Sequence, residues 1–444
     1  MFVIIKAFSL KQIKDIKTYG AKELFRKFYL LVRWLLKIPI FAIAILPCII
    51  IRLLRPWVIV RIEKVPVEQF GHFCLQTAIY YCKKKLKIDQ PKKKQIDLVY
   101  QYHPGQKHFN KQLLKMWKRK LTFLPGYLLD PIKKMNKLIP GGKVHGIDIL
   151  ALNPEEHDFD NIIEKYPPLD FTNEEEIYGK EMLNKLGLKD SDKFVCLAVR
   201  DHKFQEKKAL PRFRDWTYQY FRNYNIDDFV LAAEELTKRG YYVLRMGVVV
   251  NKPINSNNPK IIDYANSNLR SDFMDIYLGA KCSFCLSTKF GFDELPQIFN
   301  RPLAVVNNIP AGDIHAHRED FIVMIKHHVL KKEKRRLTLS EIFSNGVAFT
   351  DNIKFFDQKG IELVDNTPEE IRDVAIEMVE KLEFNQKLNP EDEELQKTFR
   401  RLFASNIKRF NYHKNYYRKF YGSDPKIKSS ISTKFLRENK NWLN

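Results

Sequence analysis

The sequence predicts an α/β protein of two doubly wound, Rossmann-like domains facing a cleft, preceded by a hydrophobic membrane-associating segment. Three observations predict it. The chain has 444 residues, more than one ordinary core takes and enough for two domains of about 150–200 residues each. Short apolar runs alternate with stretches of helical spacing along most of its length, as in parallel βαβ units. The runs also lack polar–apolar alternation, so both faces of their sheets are covered.

The elements follow in order. Ile38–Ile51 (IPIFAIAILPCIII) is fourteen apolar residues without a break. A spanning helix needs about 20, and Pro39 and Pro47 interrupt regular helix. Arg33, Lys37, Arg52 and Arg55 flank the run, and Trp34 and Trp57 stand where interfacial aromatics sit. Residues 1–56 therefore read as a monotopic or re-entrant anchor, with its basic leading part lying on the lipid surface. A buried helix of a soluble fold, or a span using Leu30–Leu54 as a whole, are the alternatives.

Residues 57–170 read as the first domain: strand Trp57–Ile62, helix Gly71–Leu86, strand Gln95–Tyr102, helix Phe109–Leu121 and a further strand at Lys143–Leu150. Pro167-Pro168 breaks the chain, and Thr172-Asn173 can cap the helix that follows. Residues 171–390 repeat the pattern as the second domain. Its strands are Lys193–Arg200, Tyr241–Gly247, Ser283–Ser287 and Leu303–Asn307. Its helices begin near Asp228, Asp272, Asp293 and Asn366, with Asp227 or Asp228, Asp272, and Asn366 or Thr367 as the caps. Residues 391–444 form a basic, tyrosine-rich tail opening on a helix.

The formal charge is +23, from 76 Lys/Arg against 53 Asp/Glu. Residues 1–37 contribute +7 and residues 397–444 contribute +11, leaving +5 for the 359 residues between. Basic ends on a nearly neutral body suit an anionic membrane surface, and nucleic acid is not expected as a partner. Six scattered cysteines and no cleavable leader pattern point to a reduced, cytoplasmic compartment. Cys282-x-x-Cys285 sits in an apolar run without a second pair, so it reads as core packing.

In doubly wound sheets the residues just past the strand ends face the ligand. This places Gly71-His72, Arg200-Asp201, Arg245, Gly247 and Ser287-Thr288-Lys289 with Gly291 in one candidate set. The stretch "STKFGFDELPQ" puts two hydroxyls and main-chain N–H groups at the expected start of a helix, a geometry that binds phosphate. Lys289 adds a point charge, and Asp293 and Glu294 can accept from helix donors or from sugar hydroxyls. Arg200 ends a buried strand, and its guanidinium fork suits a diphosphate. Arg245 repeats the pattern. His72, just past Gly71, is the candidate general base. The bland readings are structural ion pairs for the arginines, a plain helix cap for the hydroxyls and a packed ring for His72. His315 and His317 are weak as metal ligands, and the chain shows no P-loop, no GxGxxG and no nucleophile elbow.

The stretches "EQFGHFCLQTAIYYCKK", "GYYVLRMG", "NLRSDFMDIYLGAKCSFCLSTKFGFDELPQIFNRPLAVVNNIP" and "STKFLRENKNWLN" resemble a bacterial family of glycosyltransferases of surface-polysaccharide clusters. The resemblance runs from about Val58 to the end of the chain and is strongest between Arg239 and Pro310. It implies the two-Rossmann GT-B fold. More distantly, "CLAVRD" is similar to the strand-end arginine motif of fucosyltransferase-like enzymes, which implies donor diphosphate contact for Arg200. The family turn reads Ser-Thr-x-Ser-Gly, whereas Phe290 replaces its second serine here.

Together with the resemblance, the residues lead us to expect a glycosyltransferase without cofactor, and metal-independent, because helix N-termini and arginines can neutralise the leaving diphosphate. It would work at the cytoplasmic face of the inner membrane, taking a nucleotide-sugar donor on residues 190–390 and a lipid-linked or oligosaccharide acceptor on the first domain. Donor-side residues would be Arg200, Asp201, Arg245, Gly247, Ser287, Thr288, Lys289, Gly291, Asp293 and Glu294, with Gly71 on the acceptor side and His72 catalytic. The alternatives are a nucleotide-sugar epimerase on the same architecture, and a non-catalytic scaffold using its basic tails.

Overall fold

A computed structural model of the chain describes residues 38–101, 109–147, 161–203, 217–384, 388–409 and 426–444, with residues 25, 27–29, 32, 149 and 158. Residues 1–24 and 33–37 of the expected anchor and residues 410–425 of the expected tail lie outside the described residues. The chain forms two compact units. The smaller comprises Met1–Lys64, Pro91–Pro104 and Thr122–Ile147, and the larger Val65–Gln90, Gly105–Leu121 and Asp148–Asn444. Both are thus discontinuous in sequence, unlike the linear segments read above.

The smaller unit holds three parallel strands in the order β1 (Val58–Lys64), β2 (Lys94–Tyr100) and β3 (Thr122–Phe123). Ile62, Tyr100 and Leu129 form a buried cluster in it. Arg61 and Asp97 face each other in register and pair through two hydrogen bonds of 2.6 and 2.8 Å, both side chains buried. The helix Ile38–Leu53 runs beside the helix Gly126–Leu138, burying Ala44, Cys48 and Ile51. The Cys48 thiol donates to the Ile132 carbonyl at 3.4 Å. No helix among the described residues is long and apolar enough to cross a membrane.

Residues 148 and 150 of the strand expected over Lys143–Leu150 lie outside the described residues, and the part before them is instead a 3-10 turn, Gly142–His145, with a single bridge from Gly146 to Ile62. Gly141 has a φ of 77°, and a Cβ on Gly142 would sit 1.9 Å from the Asn136 carbonyl oxygen. The chain turns too tightly over the end of the helix to extend there, and the His145 ring bonds the Val60 carbonyl at 2.8 Å.

The larger unit is built on β4 (Phe194–Ala198), β5 (Tyr242–Arg245), β6 (Ile261–Ile262), β7 (Phe284–Ser287), β8 (Leu303–Asn308), β9 (Phe321–Ile325) and β13 (Ser430–Ile431). They form one seven-stranded sheet in the order β13-β9-β8-β7-β4-β5-β6, every pairing parallel. Every residue of β4, β7, β8 and β9 is buried, as runs without alternation require. Each fully buried Val, Ile, Leu or Phe contributes about 1.5–3 kcal/mol. A second, antiparallel sheet joins β10 (His327–Leu330), β11 (Arg335–Arg336) and β12 (Ile361–Val364).

Helices fall where spacing and caps put them, with small corrections. Thr172 closes a capping box with Glu175, and Thr367 does so with Glu370. Ser271, not Asp272, caps Asp272–Lys281, because its hydroxyl reaches the Met274 N–H at 3.1 Å. Val230–Lys238 starts after a 3-10 turn capped by Asn225 rather than at Asp227 or Asp228.

Chain order makes the sheet grow outward from β4 in both directions: β5 and β6 to one side, β7, β8 and β9 to the other. The direction reverses between β4 and β7. In an open parallel sheet this switch point leaves a crevice at the carboxyl ends of the two strands, where such folds bind ligands.

Candidate functional site

Two of the sequence-predicted clusters meet at that crevice. β4 ends at Ala198 and runs into Arg200, while β7 ends at Ser287 and runs into Thr288. Ala198 and Ser287 are register partners. The Thr288 hydroxyl oxygen accepts from the Arg200 N–H at 3.0 Å, tying the two strand-end loops together. Arg200 in turn accepts from the Tyr224 N–H at 3.0 Å.

The turn after β7 differs from the expected strand-to-helix join. Ser287 is buried and its hydroxyl donates to Asp293, whose other oxygen accepts from the Phe290 N–H at 3.3 Å. The chain passes through Lys289 at a φ of 55° and Gly291 before a short helix, Glu294–Ile298, begins. The hydroxyls of Ser287 and Thr288 therefore hold the turn, and no long helix opens directly behind them. Burial pushes the Asp293 carboxyl up to about 7 against the Ser287 hydrogen bond, which pulls it down. Glu294 accepts from the Gln297 amide at 2.6 Å.

Lys289 lies at the same edge, its ammonium 2.7 Å from an Asp313 carboxylate oxygen. Its carbonyl accepts from the Arg222 guanidinium at 3.1 Å. Arg222 and Lys289 thus meet at this turn, the Lys289 charge paired with Asp313, and Arg200 joins it through its main-chain N–H. Arg222 carries no sequence signal, because it closes a 3-10 segment, Thr217–Arg222, that no apolar periodicity announces. Tyr224, which donates to the Asn307 carbonyl at 2.9 Å, was likewise not singled out from the sequence.

Arg245 is buried at the end of β5, 3.7 Å from Asp201 and 3.5 Å from Asp263. Asp201 also accepts from the Lys203 and Asn251 N–H groups at 2.9 and 2.8 Å. These two residues link the loops after β4 and β5, a bracing arrangement beside the crevice. Gly247 lets that loop fold closely, since a Cβ there would stand 2.4 Å from Val250 Cγ1.

Gly71 and Gly291 are 220 positions apart in the sequence and touch in the fold. A Cβ on Gly71 would lie 2.8 Å from Gly291 Cα and 3.2 Å from its carbonyl oxygen. The helix Phe70–Lys85 therefore starts against the β7 turn, and no side chain caps that start. The Gly71 main-chain N–H, in its first turn, stands beside Gly291, and half-buried His72 follows. Gly71→Ala is expected to cost about 1–3 kcal/mol, because the backbone of either segment must shift. An unchanged melting temperature would show that the glycine contact is loose.

His315 and His317 are buried with their rings edge-on to Phe321 at 6.2 and 5.1 Å, and His315 Nε2 is 3.9 Å from Asp293. No group of three or more His, Cys, Asp or Glu among the described residues is placed to hold a metal ion. Cys282 and Cys285 are buried in the core as expected, and all six cysteines are free thiols.

No family model and no curated protein matches the chain. Among solved structures it is similar to a glycosyl transferase family 9 protein from Veillonella parvula, at 11% identity, 73% coverage of this chain, 98% of that chain and a TM-score of 0.40. It is similar to the E. coli ADP-heptose LPS heptosyltransferase II at 13% identity, 73% and 99% coverage and a TM-score of 0.40. It is also similar to S. aureus MnaA, determined with UDP, at 10% identity, 74% and 96% coverage and a TM-score of 0.26.

Proposed function

We propose that the protein is a glycosyltransferase that moves a sugar from a nucleotide-sugar donor to an oligosaccharide or lipid-linked acceptor, without metal or cofactor, on the cytoplasmic side of the membrane. One observation carries the reading: residues selected as strand-end candidates from sequence, Arg200 and Thr288, meet at the topological switch point of a parallel sheet. Lys289 and Arg222 add cations there, and the uncapped start of Phe70–Lys85 adds main-chain donors and a positive dipole end. Arginines and main-chain donors of this kind suit a diphosphate.

In this reading the acceptor oxygen bonds to the anomeric carbon as the bond from that carbon to the diphosphate oxygen breaks. His72 takes the acceptor proton, and the diphosphate leaves with the electron pair. Arg200, Lys289 and the helix start stabilise the charge that develops on the leaving group. Ser287, Thr288 and Asp293 shape the turn that presents them, while Arg245, Asp201 and Gly247 brace the neighbouring loop.

The test is a thermal-shift screen against GDP, UDP, ADP, CMP and dTDP, with and without EDTA, on the wild type and Arg200→Ala. A nucleotide at a hundredfold excess over its Kd raises stability by about 2.7 kcal/mol. The expected result is a shift with one base, insensitive to EDTA and lost in Arg200→Ala. A shift that Arg200→Ala leaves intact would remove the β4/β7 crevice as the donor site. Turnover of the donor without any acceptor would turn the reading to an epimerase.

A further inference from the structure

We propose that the smaller unit docks on an anionic lipid bilayer through the helix Ile38–Leu53 and the exposed apolar side chains of its neighbour, Gly126–Leu138, lying in the headgroup region rather than spanning it. This surface is separate from the β4/β7 crevice, and it stands or falls independently of the donor reading.

The helix is apolar on every side, yet only a stripe of Ala44, Cys48 and Ile51 is covered. Ile43, Leu46 and Leu53 are 73, 63 and 67% exposed. The adjoining Trp57, and Tyr127 and Leu138 of the second helix, are 73, 70 and 76% exposed. Monomeric soluble proteins rarely expose apolar side chains contiguously in this way, and such patches mark interaction sites. The 16 described residues Ile38–Leu53 cover about 24 Å at 1.5 Å per residue, short of a hydrocarbon core of about 30 Å. Its buried stripe also fixes it side-on to Gly126–Leu138, with Arg52 donating to the Ile139 carbonyl at 3.2 Å. An exposed tryptophan and tyrosine beside such a helix suit the depth of lipid headgroups.

Charge selects the lipid as the occupant. The smaller unit's residues 38–64, 91–104 and 122–147 carry eleven Lys/Arg and three Asp/Glu, a net +8. The whole of residues 38–396 carries only +5, so the remainder is at −3. The near-neutral body is therefore a basic unit and a slightly acidic one. Asp97, Glu63 and Asp130 are engaged by Arg61, Lys133 and Lys134. The run Lys92-Lys93-Lys94 is exposed and meets the end of the apolar helix, where the Lys93 ammonium donates to the Arg55 carbonyl at 3.4 Å. Uncovered apolar surface edged with exposed lysines fits an anionic bilayer. A second copy of the chain would set these like charges against each other.

The experiment is vesicle co-sedimentation of the full chain with phosphatidylglycerol-containing and pure phosphatidylcholine vesicles at low and raised salt. The expected result is binding to the anionic vesicles that weakens with salt. Ile43→Ser/Leu46→Ser/Leu53→Ser is expected to weaken it about a hundredfold, and Lys92→Gln/Lys93→Gln/Lys94→Gln about tenfold to a hundredfold. Bromine-labelled lipid should quench a part of the tryptophan emission that Trp57→Phe removes, a readout on wild-type fold that does not depend on the serine variant folding. Undiminished vesicle binding by the serine variant, with no Trp57 quenching, overturns the proposal and assigns binding to another part of the chain. Failure of the wild type to bind, with a dimer that the serine variant dissolves, overturns it in favour of a second copy.

Discussion

Asp97→Ala is expected to lower the stability of the smaller unit by about 3–5 kcal/mol, the cost of leaving a buried charge without its partner. Arg61 and Asp97 sit opposite each other on β1 and β2, both buried and joined by a double hydrogen bond. A guanidinium fork on a carboxylate is geometrically specific and strong when desolvated. The unit's core is small, with Ile62, Tyr100 and Leu129 as one buried cluster and Ile59, Val60 and Val99 buried on the same two strands. Hydrogen exchange of the β1 and β2 amides measures the effect locally, without requiring the larger unit to unfold. Arg61→Met/Asp97→Leu should recover most of the loss, because an apolar pair of similar volume removes the unpaired charge. A loss under about 1 kcal/mol in Asp97→Ala would mean that the pair behaves as a surface salt bridge.

The second large effect is a pH dependence centred on Asp293. Burial raises its carboxyl to about 7 in the fold, against about 3.9 in an unfolded chain. The folded state therefore holds the proton more tightly. Its contribution is fully present below about pH 3.9 and is lost as the pH rises to about 7, where a buried charge must be tolerated. A displacement of about three pH units corresponds to about 4 kcal/mol. Asp293→Asn cannot titrate, so the stability of the wild type relative to this variant should fall by about that amount across the window and level off above it. Burial also raises Asp275 to about 6 and Glu377 to about 7. Both titrate in the same range in either protein and cancel in the difference. Urea denaturation at several pH values checks it, and a flat difference would show that solvent reaches Asp293.

The parallel sheet was legible because its strands are uninterrupted apolar runs: Phe194–Ala198, Phe284–Ser287 and Leu303–Asn308 all lie within or within one residue of the segments read from sequence. The crevice was legible for a related reason. A charge or hydroxyl at the end of a buried run, such as Arg200 or Thr288, marks where the strand leaves the core. Side-chain direction was not legible. Nothing in "STKFGFD" tells that Ser287 and Thr288 spend their hydroxyls on Asp293 and on the Arg200 N–H. Tertiary partnership was also out of reach. Gly71 and Gly291 each look like an ordinary turn glycine until the fold presses them together. The segment Phe321–Val364 escaped because "FIVMIKHHVL" reads as one run, while the chain divides it into β9 in one sheet and β10 in another. Charge was misread by linear windows, which average a basic unit with an acidic one whenever both are assembled from separated stretches.

The contact of Gly71 with Gly291 also sets a timetable for synthesis. At 5–20 residues per second, roughly 10–40 s separate the emergence of these two glycines from the ribosome. Throughout that interval the helix Phe70–Lys85, with Phe73, Leu75 and Ile79 destined for complete burial, has no β7 turn to pack against. The nascent chain must carry that sticky face exposed or shielded by a holdase, and slowing translation between codons 71 and 291 should lengthen the period in which it can aggregate. The fold thus makes yield in the cell a matter of elongation rate as much as of final stability.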